Sequence, residues 1–539
     1  MAIRERQIRI YDLHSWTGIA LGWFLYVVCF SGTVAVFVGE LRTWEDPTKR
    51  LAVPEEIAPI NDTFSEWIEE KLKSVDGDEE KTLSFLRLNF PQVHEPFYSA
   101  SIGVQAPEGE SEFHEAHWHA QTGEPLPVKG EGMSEWLRHF HHDLMWPEYL
   151  GGGGVGLIIV GLSGLVLMLN LISGVVAHTK IKEEFFTLRY WRSTRLRWQD
   201  THKVIGLWSF PFSAMISITG AFFGVGSLLL PVIALVMFKG NVETVANELG
   251  FGGAEPAGEY AEMISVDEIA RWRDPETNIG PYQVRIQNYE DAGAVYEVYF
   301  RSEGKLKYAE ALTVNGATGE TVEPLGFNAP APGNRAIAAV SVLHFGNFGG
   351  IPVKLLYFVL GILLVAIVAF GNMMWTERRL HGSEGRRSPK FYRGLSRANA
   401  GITLGFPLAS VALFYADKLL FNGAQSHIVL AGQVYFLVVG AALIYAFVRA
   451  NEYRTTVELL VATGALSVGV PALNWAATGD LFLSQLLSPQ STHAWVDFSL
   501  LVMGVLTIVI ALKLPKGRPS FISGRQPQEN ADTVLSAAE

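Results

Sequence analysis

Runs of apolar residues long enough to cross a bilayer constrain this chain more than any other feature. A helix rises about 1.5 Å per residue, so roughly 20 apolar residues cover a hydrocarbon core of about 30 Å. Such runs lie at Trp16–Val38, Val155–Val176, Ile205–Val236, Leu355–Met374, Ala400–Leu420, Ile428–Val448, Val457–Ala476 and Val496–Leu512. The third is long enough to tilt or to contain a break at Pro231. The expected fold class is a polytopic α-helical membrane protein of about eight spans. Arg4, Arg6 and Arg9 precede the first run like a signal n-region, but that run is too long for a signal h-region, so it reads as a retained anchor.

Composition agrees: 49% of residues are apolar and only 18% charged. The net charge of -12 argues against a nucleic-acid partner, since no basic track would follow a phosphate backbone. The single cysteine, Cys29, excludes an internal disulfide and a Cys-x-x-Cys-His haem attachment.

Basic residues set the expected orientation. Lys180, Lys182, Arg189, Arg192, Arg195, Arg197 and Lys203 follow span two, and Arg378, Arg379, Arg386, Arg387, Lys390, Arg393 and Arg397 follow span four. The positive-inside rule makes both loops cytoplasmic, with both termini, and leaves two long soluble segments outside. Each segment reads as a small α+β domain, with helices at Phe64–Lys73 and Val266–Arg273 and strands such as Leu83–Phe90 and Ala294–Arg301. The expected order is span one (1–44), soluble domain one (45–135), span two (136–178), basic loop (179–201) and span three (202–238). Soluble domain two (239–335), span four (336–376), a second basic loop (377–397), spans five to eight (398–514) and a tail (515–539) follow.

The first two-thirds of the chain is duplicated. His14-Ser-Trp-Thr-Gly18 in span one, followed by Ser31-Gly32, matches His202-Lys-Val-Ile-Gly206 in span three, followed by Thr219-Gly220. Thr122-Gly123-Glu124 matches Thr318-Gly319-Glu320, a hairpin signal at the end of each soluble segment. Phe140-His141 and Leu343-His344 then precede spans two and four, which end near Gly174 and Gly371.

A histidine in or near a span is costly unless it is paired, ligating or wetted. The repeat sets His14 opposite His202 at the inner end and His141 opposite His344 at the outer end. Two facing imidazoles saturate the axial positions of a b-type haem, so the pattern points to two bis-His haems. Against this stands the bland reading, interfacial histidines that cap helix ends. His178, just past span two, is a further inner candidate whose counterpart is Trp375; His139 and His142 flank His141. His114, His117 and His119 lie on one strand-like stretch, where a metal site competes with the commoner surface histidines. Gly156, Gly161, Ser163, Gly164 and Gly174 line span two for a flat ring or a close helix contact, and Gly151–Gly154 reads as a connector.

Together the His-x-x-x-Gly openings, the Thr-Gly-Glu turns, the Leu/Phe-His pairs and Trp198-Gln-Asp-Thr-His202 resemble the PepSY-associated transmembrane family over residues 8–380. The resemblance implies a four-helix core carrying two PepSY domains on the periplasmic side of a bacterial inner membrane. It also implies haem-containing reduction of ferric siderophores, with electrons from a cytoplasmic or quinol donor. His141 and His344 would then hold the outer haem; His14 and His202, or His178 with one of them, would hold the inner. Trp136, Trp146, Phe345 and Phe348 would wall a docking surface. Two rival readings are a peptide-binding or protease-regulating anchor and a transporter, although the spans lack a midplane array of charges.

Overall fold

The computed structural model describes residues 2–72, 82–92, 95–105, 111–189, 194–241, 253–301, 310–324, 332–381, 387–421, 427–488 and 491–514. In chain order, α1 (Ala2–Ala35) and α2 (Val38–Glu45) lead into α3 (Asn61–Leu72) and strands β1 (Thr82–Asn89), β2 (Phe97–Gln105), β3 (Ser111–His119) and β4 (Pro125–Leu126). Next come α4 (Met133–His142), α5 (Gly152–Ala177), α6 (Ile181–Glu184), α7 (Thr194–Trp208) and α8 (Phe210–Met237). The second half continues with α9 (Val266–Ile269), β5 (Pro281–Gln287), β6 (Val295–Phe300), β7 (Glu310–Asn315), α10 (Pro332–Phe345) and α11 (Gly350–His381). The remaining helices are α12 (Pro389–Leu419), α13 (Ile428–Arg449), α14 (Glu452–Thr478), α15 (Phe482–Gln485) and α16 (Thr492–Lys513).

Among the described residues, seven helices are long and apolar enough to cross a membrane, and an eighth span results if α7 and α8 are taken together. That third span does break, but at Ser209, where Gln199–Trp208 and Phe210–Gly226 meet at 67°. Pro231 lies inside α8 instead. Pro211 explains the position: it has no N–H to give the carbonyl four residues back, and its ring crowds that carbonyl.

In the four-helix core α1 packs against α5 and α11, and α8 packs against α5. Small residues let these helices approach. A Cβ on Gly161 would stand 2.5 Å from the Gly224 Cα, and one on Gly164 2.8 Å from the Ser217 carbonyl oxygen. Helix contact therefore accounts for these two glycines of span two.

The two soluble segments do not stand apart. They build one seven-stranded sheet in the order β4-β3-β2-β1-β5-β6-β7, joined where β1 and β5 run antiparallel with Leu86 opposite Ile286 and Leu88 opposite Val284. Each half alone would leave an open edge and a core too small to hold it, and pairing closes both edges over one shared core. That core includes Ile60, Phe64, Ile68, Val266, Ile269 and Tyr296. The halves also cap each other's helices. Asp267 accepts the Ile60 and Asn61 N–H groups at the start of α3, while Asn61 accepts the Val266 N–H at the start of α9. α9 is one turn, shorter than the expected Val266–Arg273, because Asp274 accepts the Glu276 and Thr277 N–H groups and turns the chain. Both Thr-Gly-Glu turns place glycine in the left-handed region, Gly123 at φ 71° and Gly319 at φ 72°.

α12, α13, α14 and α16 pack on one another and onto the first half. An aromatic cluster of Trp136 and Phe140 on α4 with Phe406 and Tyr435 joins them to the core.

Candidate functional site

Each end of the four-helix core carries a histidine pair. The His14 and His202 ring centroids are 6.3 Å apart with planes at 68°, and those of His141 and His344 are 6.4 Å apart with planes at 13°. Along α1, His14 precedes the Ser31 that touches His141 by about 25 Å, at about 1.5 Å per residue.

The hydrogen bonds of the four rings follow one pattern. His14 Nδ1 lies 2.9 Å from the Asn170 carbonyl oxygen, and His202 Nδ1 lies 3.1 Å from that of Ile367. A carbonyl only accepts, so both rings carry their proton on Nδ1. His141 Nδ1 lies 3.2 Å from Ser31 Oγ, and His344 Nδ1 lies 2.9 Å from Thr219 Oγ1. The Ser31 hydroxyl donates to the Val28 carbonyl and that of Thr219 to Met215. Each hydroxyl therefore accepts from its histidine, and Nδ1–H is again the donor. All four rings keep their lone pair on Nε2, the tautomer suited to metal ligation.

The matched glycines sit against the same rings. A Cβ built on Gly32 would lie 2.6 Å from His141 Cε1, and on Gly220 3.3 Å from His344 Cε1. At the other end a Cβ added to Gly174 would lie 3.0 Å from His14 Cε1, and one added to Gly371 3.4 Å from His202 Cε1. The landmarks that define the repeat in sequence are thus the residues around the four histidines. Two metal–nitrogen bonds of about 2.0–2.1 Å, with the rings facing through Nε2, put imidazole centroids about 6.4 Å apart. The donor set, its tautomer and the centroid separations of 6.3 and 6.4 Å are compatible with a metal ion held between each pair.

The other candidates are engaged elsewhere. His178 ends α5, with Nδ1 accepting the Lys180 N–H and Nε2 3.7 Å from the Glu184 carboxylate. With Nδ1 accepting, the His178 proton sits on Nε2, which is buried without a hydrogen-bond partner beside the loop where Lys203 pairs with Glu184 and Arg189 with Asp200. His139 lies between the Asp143 carboxylate, 2.9 Å from Nδ1, and the Arg138 guanidinium, 2.7 Å from Nε2. On β3, His114 pairs with Glu112, His117 with Glu115, and His119 Nδ1 accepts the Gln121 and Thr122 N–H groups. Each ring serves its own neighbour, so the strand brings no three of them to one ion.

Of the expected docking wall, Phe345 is 53% exposed beside His344. Trp136 is only 1% exposed, because Phe140 stacks on it at 4.8 Å and Tyr435 covers it at 4.5 Å. It belongs to the core.

Residues 11–378, more than half of the chain, match the PepSY-associated TM region. The chain belongs to the PepSY-associated transmembrane family. It is also similar to the uncharacterized protein PA4219 of Pseudomonas aeruginosa, 26% identical over 278 residues, which are 48% of this chain and 70% of that one. The family match ends near the close of α11 and leaves α12–α16 outside it.

A network joining the family-matched region to the helices beyond it caps the helix that bears His141. Trp44 Nε1 donates to Asp497 Oδ1 and Asn474 Nδ2 to Asp497 Oδ2, each at 2.7 Å, and Trp44, Asn474 and Asp497 are all fully buried. Lys418 Nζ donates to the Glu45 carbonyl at 3.1 Å and lies 4.3 Å from the centre of the Trp44 ring. Glu45 then accepts the Met133 and Ser134 N–H groups at 3.0 Å, capping α4, which bears His141. Burial and the charge of Asp417 push the Glu45 carboxyl pKa up. On the same helix, burial pushes Glu135 up, but Arg42 and Arg138 outweigh it and hold that carboxyl below its usual range. Buried Asp497 and Asn474 in otherwise apolar spans were the available sequence signal.

Proposed function

We propose that this membrane protein is an oxidoreductase with two b-type haems, one held by His14 and His202, the other by His141 and His344. It moves electrons across a bacterial inner membrane to a ferric siderophore or similar ferric chelate. The reading rests on one observation: four repeat-related histidines form two close pairs, each ring with its Nδ1–H tied to a carbonyl or hydroxyl. Bound haem supplies one-electron chemistry that no side chain here offers.

The chain's own residues set tautomer and ring position at both ends. The basic loops after α5 and α11 favour a cytoplasmic N-terminus and a periplasmic sheet. Electrons would come from a cytoplasmic or quinol donor, since the sequence has no nicotinamide or flavin fingerprint. Exposed Phe345 beside His344 is a docking element for the chelate. Reduction loosens hard oxygen ligands from the iron, so electron delivery alone suffices for release.

The test is a reduced-minus-oxidised spectrum of the purified protein. Two b-type haems per chain are expected, and His14→Ala and His344→Ala should each remove about half, one of two bis-His sites. Absence of b-type bands overturns the proposal, and retention of both haems in either variant overturns the ligand assignment.

A further inference from the structure

The end of α4 carries a second set of donors on residues adjacent to His141. His139 Nδ1 lies 2.9 Å and His142 Nδ1 3.3 Å from Asp143 Oδ2, and the three atoms all fall within 4.8 Å of one another. Cis ligands on a first-row metal, at bonds of about 2.1 Å, lie about 3.0 Å apart. The Met145 N–H holds Asp143 Oδ1 at 2.9 Å, which fixes the carboxylate with Oδ2 toward the imidazoles. Spacing of i, i+3 and i+4 brings all three to one face at the last turn. The glycine run that opens α5 borders the same carboxylate: a side chain at Gly153 would begin 3.3 Å from Oδ2. Glycine there keeps the carboxylate face clear.

We propose that His139, His142 and Asp143 form a binding site for a divalent first-row metal ion, and that its physiological occupant is ferrous iron. Two imidazoles and one carboxylate with positions left over are the donor set suited to non-haem Fe(II). The overlapping group of Glu131, Glu135 and His139 is the weaker choice, because Glu135 pairs with both Arg42 and Arg138. Arg138 also lies 2.7 Å from His139 Nε2. Metal binding moves the His139 proton from Nδ1 to Nε2, where it would meet the Arg138 N–H donor to donor, so the guanidinium swings off His139 and keeps only Glu135 as its partner. The identity of the ion rests on the proposed function. One electron converts one ferric ion of the chelate to ferrous, and the ion then exchanges chelate oxygens for these imidazoles and the carboxylate. The site gives released iron a place to go before it can be reoxidised or rebound.

Titration of the full-length protein in detergent with Co2+, its purification tag removed, tests the site by calorimetry. One Co2+ per chain is expected, displaced under anaerobic conditions only by Fe2+ in excess, because such sites bind Co2+ more tightly than Fe2+. His142→Gln and Asp143→Asn should each weaken Co2+ by at least about tenfold. Arg138→Gln, which takes a positive charge from the rim, should tighten it. Binding unchanged in both ligand variants, or no binding to the wild type, overturns the site. His142 is half-exposed, so its variant tests the site even if Asp143→Asn fails to fold. Haem bands recorded on the same samples separate the two readings. Bands without Co2+ binding sink the metal site alone; Co2+ binding lost only in the ligand variants, without bands, upholds the site and sinks the haem reading.

Discussion

Replacing the four glycines beside the histidines by alanine probes each ring with a single methyl group. The distances from an added Cβ to the nearest ring atom are 2.6 Å at Gly32, 3.0 Å at Gly174, 3.3 Å at Gly220 and 3.4 Å at Gly371. Non-bonded carbons prefer about 3.5–4.0 Å, so Gly32→Ala demands a displacement of about 0.9 Å and Gly371→Ala almost none. Overpacking of that size costs about 1–3 kcal/mol. Alanine in a helix gains about 1 kcal/mol over glycine, which offsets part of the cost everywhere. At Gly371 the gain wins; at Gly32 the clash wins, because the methyl would also stand 3.0 Å from His141 Nε2, the atom that would ligate the proposed haem. The expected order of haem loss is Gly32→Ala, then Gly174→Ala, then Gly220→Ala, with Gly371→Ala retaining both haems. Haem per chain by pyridine haemochrome, with the difference spectrum, gives the readout. If Gly371→Ala is as damaging as Gly32→Ala, or all four variants keep both haems, the rings are not held as described.

Other perturbations separate the two ends. The near-parallel rings at 13° should give the outer ferric haem a rhombic low-spin resonance, and the 68° pair a far more anisotropic one; His14→Ala should delete the second signal and leave the first. Thr219→Val removes the acceptor of the His344 Nδ1–H, lowers ligand basicity and should raise the outer haem's potential, with Thr219→Ser restoring it; an unchanged potential in a redox titration refutes the role. Asp497→Ala leaves the Trp44 and Asn474 donors buried without an acceptor at about 1–3 kcal/mol each, so the melting temperature should fall by several degrees, less for Asp497→Asn. Glu45→Ala uncaps α4 and should weaken the outer haem while sparing the inner one; equal loss of both would contradict the capping argument.

The membrane fold was legible because hydrophobic length is a local property of the chain, and the histidine pairing because a duplication is visible as an ordered series of offsets. Ser31-Gly32 and Thr219-Gly220 were read as landmarks; the structure adds that each hydroxyl holds, and each glycine admits, the ring of a histidine on another helix. That role depends on which helix lies alongside, so it cannot be read along one segment. The join of the soluble segments escaped for the same reason: alternation marks β1 and β5 as strands without saying that each is the other's neighbour. His178 looked suitable by depth alone, but the turn after α5 carries its ring toward Lys180 and Glu184. The third apolar run holds both Pro211 and Pro231, and the sequence does not say which one breaks it: the break falls at Ser209, beside Pro211, while the helix continues through Pro231.

α12–α16 lie beyond the family match, and their polar contacts suggest what they contribute. A buried carboxylate such as Asp497 is tolerated only where every donor around it is used, and here those donors are Trp44 from α2 and Asn474 from α14. α2 in turn caps α4 through Glu45, and α4 carries both His141 and the His139–His142–Asp143 set. The inner pair rests on carbonyls of α5 and α11, and α12 reaches that end as well: Asn399 accepts the Trp23 Nε1–H and donates to the Asn372 carbonyl and to Thr376 Oγ1. α4 is only ten residues long, below the length at which an isolated helix holds itself together. Buttressing by α12–α16 therefore reaches both ends of the core, and it matters most at the short helix on which the outer haem reading and the metal site both depend.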